Sequence, residues 1–296
     1  MKYFFTKNYI LILIKGMLMG IADLIPGISG GTIALITGVY KDLIAALNNL
    51  NVKNIKLNLF KNFKANKFDV LITLITGIAF SILLFSNVIL FFLENYNNEI
   101  SAFFFGLIIS SVFILLNKIK GIQISDLLIL VISTFIISQV LKLSSINQEV
   151  NLLYILICGF ICSSAMILPG ISGSYILIIL GVYHFILKKL NTLFESNSDS
   201  YLYVFSFILG AILGVLTFSR IIKWLFKSYE KRTMIVMIGF ILGSISKIIP
   251  NTNNEENFIL TIYNFFNINF YFLLFSLFGF LAIIILNKIS KKNESY

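Results

Sequence analysis

Long runs of apolar residues alternate along this chain with short polar connections. A membrane-crossing helix needs roughly 20 mainly apolar residues. Ten segments approach that length: about 8–25, 31–47, 69–93, 100–117, 124–141, 151–168, 173–188, 201–222, 233–249 and 268–287. The longest polar stretch, about 48–68, is rich in Lys and Asn. No connection is large enough for a separate soluble domain. The pattern predicts an all-α polytopic membrane protein, one membrane domain over 1–296. The first apolar run follows Lys2 and Lys7 and resembles a signal peptide. It ends in no small-residue cleavage site, so it reads as a retained segment.

The chain repeats itself. Residues 16–40 align without gaps on 159–183 at an offset of 143, with 12 of 25 positions identical. The centre reads Pro26-Gly27-Ile28-Ser29-Gly30 in one copy and Pro169-Gly170-Ile171-Ser172-Gly173 in the other. Both copies then reach Gly-Val-Tyr, at Gly38-Val39-Tyr40 and Gly181-Val182-Tyr183. A second block, 77–111 on 210–244, aligns at an offset of 133 and includes Gly77/Gly210, Tyr96/Tyr229 and Gly106/Gly239. The reading is a tandem duplication of five segments per half, about 8–145 and 151–289.

Composition agrees with the segment pattern. Hydrophobic residues are 58% and charged residues 12%, far from the quarter charged of soluble domains. The net charge is +10, and its distribution orients the chain, because Lys and Arg concentrate on the cytoplasmic side. Loop 41–69 holds six Lys and residues 220–232 hold five Lys or Arg, whereas 94–99 holds none. The charges alternate throughout if segments three to five and eight to ten cross, and if segments one–two and six–seven are re-entrant hairpins. Both termini are then cytoplasmic, with +13 on inside segments and −3 outside. Three crossings per half invert the second half relative to the first, the plan of secondary transporters with broken helices near the midplane.

Each Pro-Gly pair breaks a helix. Such a break is tolerated at membrane depth only where protein or water satisfies the backbone. Ser29 or Ser172 can cap the helix that follows. The N–H groups of Gly30, Gly31 and Thr32, and of Gly173, Ser174 and Tyr175, would then favour an anion, with hydroxyls of Ser29, Thr32, Ser172, Ser174 and Tyr175 as further donors. The bland alternative is that Gly and Ser only let helices pack closely. Ionisable groups inside the membrane are scarce and therefore candidates. Lys15 and Arg220 are candidate cations for a headgroup, although each could simply snorkel to the interface. Asp23, just before the first break, could pair with Lys15, cap backbone N–H groups or carry a proton.

The same motif also admits an enzyme reading. Gly27-Ile28-Ser29-Gly30 is also the G-x-S-G string of rhomboid intramembrane serine proteases, which need a base beside the serine. The one His, His184, lies about 18 Å along the chain from Ser172 at helical rise. A serine that occurs twice suits a symmetric site better than one nucleophile. Cys158 and Cys162 lie one turn apart in an apolar run and read as small apolar residues. No cofactor, metal or nucleic acid is expected.

At these motifs a family becomes recognisable. The stretch Lys15-Gly16…Gly20-Ile21-Ala22-Asp23-Leu24-Ile25-Pro26-Gly27-Ile28-Ser29-Gly30-Gly31-Thr32 resembles the first signature of the prokaryotic polyprenyl-phosphate transporters. Ala165-Met166-Ile167-Leu168-Pro169-Gly170-Ile171-Ser172-Gly173-Ser174-Tyr175 resembles the second, and Phe218-Ser219-Arg220 also fits the family pattern. The resemblance implies translocation of undecaprenyl phosphate across the cytoplasmic membrane, recycling the carrier for peptidoglycan and other envelope polymers. The partner is then a lipid phosphate in the bilayer. A coupling ion of unassigned identity and a second copy of the chain are the other partners this plan leaves open. The competing reading on the same fold is an ion-coupled transporter of a small soluble anion.

Overall fold

In a computed structural model the described residues are 7–25, 28–50, 67–145, 148–192, 199–248 and 270–294. All regular structure among them is helical. The first half contains α1 (Lys7–Asp23), α2 (Gly30–Ile36), α3 (Tyr40–Asn49), α4 (Phe68–Asn95), α5 (Asn97–Asn117) and α6 (Ile124–Val140). The second contains α7 (Leu152–Ile167), α8 (Gly173–Ile179), α9 (Tyr183–Asn191), α10 (Ser200–Ile248) and α11 (Phe270–Glu294). Four helices, α4, α5, α10 and α11, are long and apolar enough to cross a membrane, and up to six spans result if each bent helix pair is one. Leu83, Val131, Phe205 and Leu273 are exposed on α4, α6, α10 and α11. In water such a belt would be unstable; lipid is the solvent it suits.

The structure revises two of the expected segments and one connection. Segments two and seven are not continuous. Each is a pair of short helices, α2 with α3 and α8 with α9, bent by 114° and 111°. The bends fall at Gly38 (φ +81°) and Gly181 (φ +70°), a left-handed backbone that glycine adopts without steric cost. The polar stretch 223–232 is not a loop. It is helical within α10, because Lys, Arg, Glu and Leu propagate a helix and neither Pro nor Gly interrupts it. α10 instead bends at Tyr229 (φ −140°, ψ 46°). Tyr96, its counterpart between α4 and α5, has nearly the same dihedrals (φ −137°, ψ 42°). The two arms of α10 thus correspond to α4 and α5.

Equivalent positions of the two halves make equivalent contacts. α1 packs on α4, where a Cβ on Gly77 would sit 2.4 Å from the Leu13 carbonyl oxygen. α7 packs on the first arm of α10, where a Cβ on Gly210 would sit 2.0 Å from the Leu156 carbonyl oxygen. The remaining helices exchange halves. α11 lies against α5, with the Gly106 Cβ position 1.8 Å from the Ser276 carbonyl oxygen. α6 lies against the second arm of α10, with the Gly239 Cβ position 1.9 Å from Ser133 Oγ. Glycine at each crossing lets backbones approach to the distance at which dispersion between membrane helices is strongest. The main buried cluster includes Ile33, Ile36 and Tyr40 of the first hairpin with Ile108 of α5 and Ile238 and Ile241 of α10. The short helices of the first hairpin therefore sit inside the bundle, whereas Ile178 and Leu187 of the second are exposed.

Candidate functional site

Pro26 and Gly27 lie outside the described residues, so the first break is described from its flanks. α1 ends at Asp23 and α2 begins at Gly30. Ser29 is the N-cap in extended conformation, and its Oγ accepts from the Gly31 N–H at 3.2 Å. The Gly30 N–H donates to Asp23 Oδ1 at 2.7 Å, and the Thr32 N–H to the Ser29 carbonyl at 2.9 Å. All three N–H groups expected to face an anion are thus engaged within the chain. Asp23 is the anion that the first of them meets.

Lys15 completes the same logic at the other end of α2. Its buried ammonium donates to the Thr37 carbonyl at 2.7 Å. A carboxylate at the start of a helix and an ammonium at its end both complement the helix dipole, each by about 0.3–1 kcal/mol or somewhat more where partly buried. Lys15 and Asp23 are eight residues apart on α1, about 12 Å of rise, and no ion pair joins the two. Of the roles open to Asp23, the structure shows the backbone cap, and Asp23 and Lys15 together clamp the two ends of α2. In the second hairpin Tyr154 takes the place of the ammonium, donating to the Leu180 carbonyl at 2.8 Å, the counterpart of Thr37.

The second break is tighter. Gly170 has φ +84°, and a Cβ there would lie 2.5 Å from backbone atoms of Phe240. Only glycine permits this approach of the break to α10. Ser172 precedes α8 but makes no side-chain cap bond. Its hydroxyl lies 2.8 Å from that of Ser174. Ser174 is exposed, whereas Tyr175 is half-buried and donates to the Leu141 carbonyl. Gly173 packs on Met166 and Cys162.

The two breaks touch. Thr32 Oγ1 accepts the Gly170 N–H at 2.8 Å. The Tyr40 hydroxyl donates to the Ile167 carbonyl at 2.9 Å. Gly31 faces the carbonyls of Met166 and Ile167. One hairpin thereby satisfies backbone groups that the other break leaves open, as burial away from water demands. Arg220 is elsewhere on α10 and exposed, beside Ser219, whose carbonyl accepts from Asn48 of α3 at 2.8 Å.

Two cavities flank the bend of α10. One, of about 520 Å³, lies below the first hairpin and is lined by Tyr40, Lys41, Lys118, Lys120, Glu230 and Lys231 among others. Lys41 pairs with Glu230, and Lys231 with Asp126 at the start of α6. The other, of about 420 Å³, is almost wholly apolar and contains Arg232. These basic residues were read in the sequence only as orientation charges. The helical spacing of 229, 232, 233, 236 and 240 on one face was the signal that could have singled out Arg232.

The comparisons with known proteins bear on this arrangement. A profile of the family described as undecaprenyl phosphate translocase-like matches residues 19–266. The chain belongs to that family. It is 36% identical over 249 residues to a polyprenyl-phosphate transporter of Vibrio cholerae, covering 83% of this chain and 79% of that protein. It is 28% identical over 299 residues to a polyprenyl-phosphate transporter of Staphylococcus aureus, covering 95% of this chain and 97% of that one. No solved structure matches. Family membership and the apolar helices agree with a multi-pass membrane protein of the transporter class.

Proposed function

We propose that this protein is an undecaprenyl-phosphate translocase that returns the lipid carrier across the cytoplasmic membrane for peptidoglycan and other envelope polymers. The observation that carries the reading is the direct contact of the two breaks, Thr32 with Gly170, in a chain whose relatives are named polyprenyl-phosphate transporters. Paired broken helices at the interface of two repeats are where secondary transporters place their substrate. The hydroxyls of Ser29, Thr32, Ser172, Ser174 and Tyr175 and the backbone of Gly30, Gly31 and Gly173 form the polar centre. Arg220 is the cation assigned to the headgroup, because Lys15 is held by the Thr37 carbonyl at the far end of α2, and Asp23 is the group assigned to proton exchange.

The halves are inverted with respect to the membrane in this proposal, and both termini are cytoplasmic. The exchange of partners between α5–α11 and α6–α10 supports two-fold relatedness of the halves, and the positive loops support the orientation. Sliding one half on the other breaks or remakes the contact between the breaks and so exposes the polar centre to either side. The chemistry is movement, with no covalent step. The test is depletion of this protein in cells lacking redundant recyclers, with undecaprenyl phosphate on the outer leaflet measured by an impermeant binding reagent. Accumulation on the outer leaflet is expected, and unchanged exposure would sink the proposal.

A further inference from the structure

The apolar cavity of about 420 Å³ lies inside the bend of α10. Its walls come from both arms: Phe218, Ile222 and Leu225 before Tyr229, and Val236, Met237 and Phe240 after it. Leu168, the residue before the second break, closes one side. Its charged member is Arg232, exposed one turn after the bend. Thr233 is turned inward, with its hydroxyl on the Tyr229 carbonyl at 2.8 Å. Asp126 is the carboxylate within electrostatic range of Arg232. It is already held by Lys231 and by the Gln123 N–H at 2.9 Å. The guanidinium is therefore placed at the cavity with its acidic neighbour engaged by other donors.

An apolar slot with one guanidinium matches an amphiphile that has one anionic end and one apolar chain. We propose that this cavity holds the head-proximal isoprene units of a polyprenyl phosphate, and that Arg232 holds its phosphate. The inference rests on the transporter reading and adds to it a second binding place, beside the breaks rather than between them. Its volume lies in the range of small-ligand pockets, about 300–1,000 Å³, so only the first part of a long chain enters and the rest lies in lipid. The planar fork of Arg suits a phosphate better than a lysine would. Leu168 and Phe240 connect the cavity to the second break, because Gly170 lies directly against Phe240. Movement of that break reshapes the wall against which the chain lies. Occupancy and break position are thereby coupled.

The test uses the full chain in nanodiscs of phosphatidylcholine and phosphatidylglycerol, so that bulk lipid competes throughout. Farnesyl phosphate and farnesol are titrated as probes, the second lacking the phosphate. Arg232→Ala is expected to weaken farnesyl phosphate about ten- to a hundredfold, the range of a lost charge-assisted hydrogen bond, while leaving farnesol unchanged. Arg232→Lys is expected to recover part of the loss. Val236→Trp and Leu225→Trp, which fill the cavity from opposite arms, are expected to weaken both probes. Retained farnesol binding by Arg232→Ala also shows that it folds, and the two filling variants check one another. Wild-type affinity for farnesyl phosphate in Arg232→Ala, or in both filling variants, overturns the assignment while the transporter reading stands. Failure of the wild-type chain to bind farnesyl phosphate also overturns the assignment, while the transporter reading is decided by exposure of undecaprenyl phosphate on the outer leaflet.

Discussion

Thr32→Val removes the hydroxyl that accepts the Gly170 N–H across the two breaks and changes little else. The side chains are nearly equal in volume, and Thr32 is buried at 2% exposure. The Gly170 N–H loses its acceptor at 2.8 Å. It cannot turn to another easily, because Gly170 is pressed against the Phe240 backbone. A buried backbone donor left unsatisfied costs about 1–3 kcal/mol, and hydrogen bonds between membrane helices average near 0.6 with a maximum of about 1.7 kcal/mol. The expected cost is therefore about 1–2 kcal/mol, enough to lower the unfolding midpoint by a few degrees. Thr32→Ser keeps the oxygen and should restore most of the difference. The assay is thermal unfolding of purified protein in one detergent, followed by translocation by each variant. Identical midpoints and rates for wild type and Thr32→Val would refute the claim that the hydroxyl holds the breaks together.

Three further outcomes follow from the same contacts. Asp23→Asn keeps an acceptor for the Gly30 N–H and should fold as wild type, whereas Asp23→Ala should lose about 1 kcal/mol as a helix cap does; loss of translocation by Asp23→Asn without loss of stability would assign the charge to transport. Gly106→Ala should destabilise more than Gly239→Ala, since its methyl would lie 1.8 Å from the Ser276 carbonyl oxygen, whereas the Gly239 methyl first meets the Ser133 hydroxyl, which can rotate, and backbone only at 2.9 Å; a Gly239→Ala unfolding midpoint below that of Gly106→Ala would contradict this ranking. Tyr40→Phe should cost about 1 kcal/mol through the lost hydrogen bond to the Ile167 carbonyl, read as a lower unfolding midpoint.

The chemistry of the peptide backbone explains what was legible in the chain. Pro-Gly-Ile-Ser-Gly marks where one helix gives way to the next, and α2 and α8 begin at Gly30 and Gly173, although Ser29 caps with its side chain and Ser172 does not. The bends at Gly38 and Gly181 were visible only as glycines within apolar runs, because apolar content does not distinguish a straight helix from a bent pair. Hydropathy also divides α10 at its basic stretch, although Lys and Arg are good helix formers and the arms join through Tyr229. Lys15 and Asp23 were singled out as rare intramembrane charges. Their partners, the Thr37 carbonyl and the Gly30 N–H, depend on how α1 lies along α2, which spacing along α1 alone does not determine. Arg232 is not distinguished in one dimension, where a charge that orients a loop and a charge that lines a cavity look alike.

The central claim is that this chain moves a lipid phosphate between leaflets. Its most direct test is purified protein in proteoliposomes carrying undecaprenyl phosphate, with the outward-facing fraction followed after asymmetric loading. The account predicts equilibration across the bilayer well above the rate in protein-free vesicles, reduced by Thr32→Val. Equilibration at the protein-free rate, under conditions where the protein is folded and correctly inserted, would contradict it.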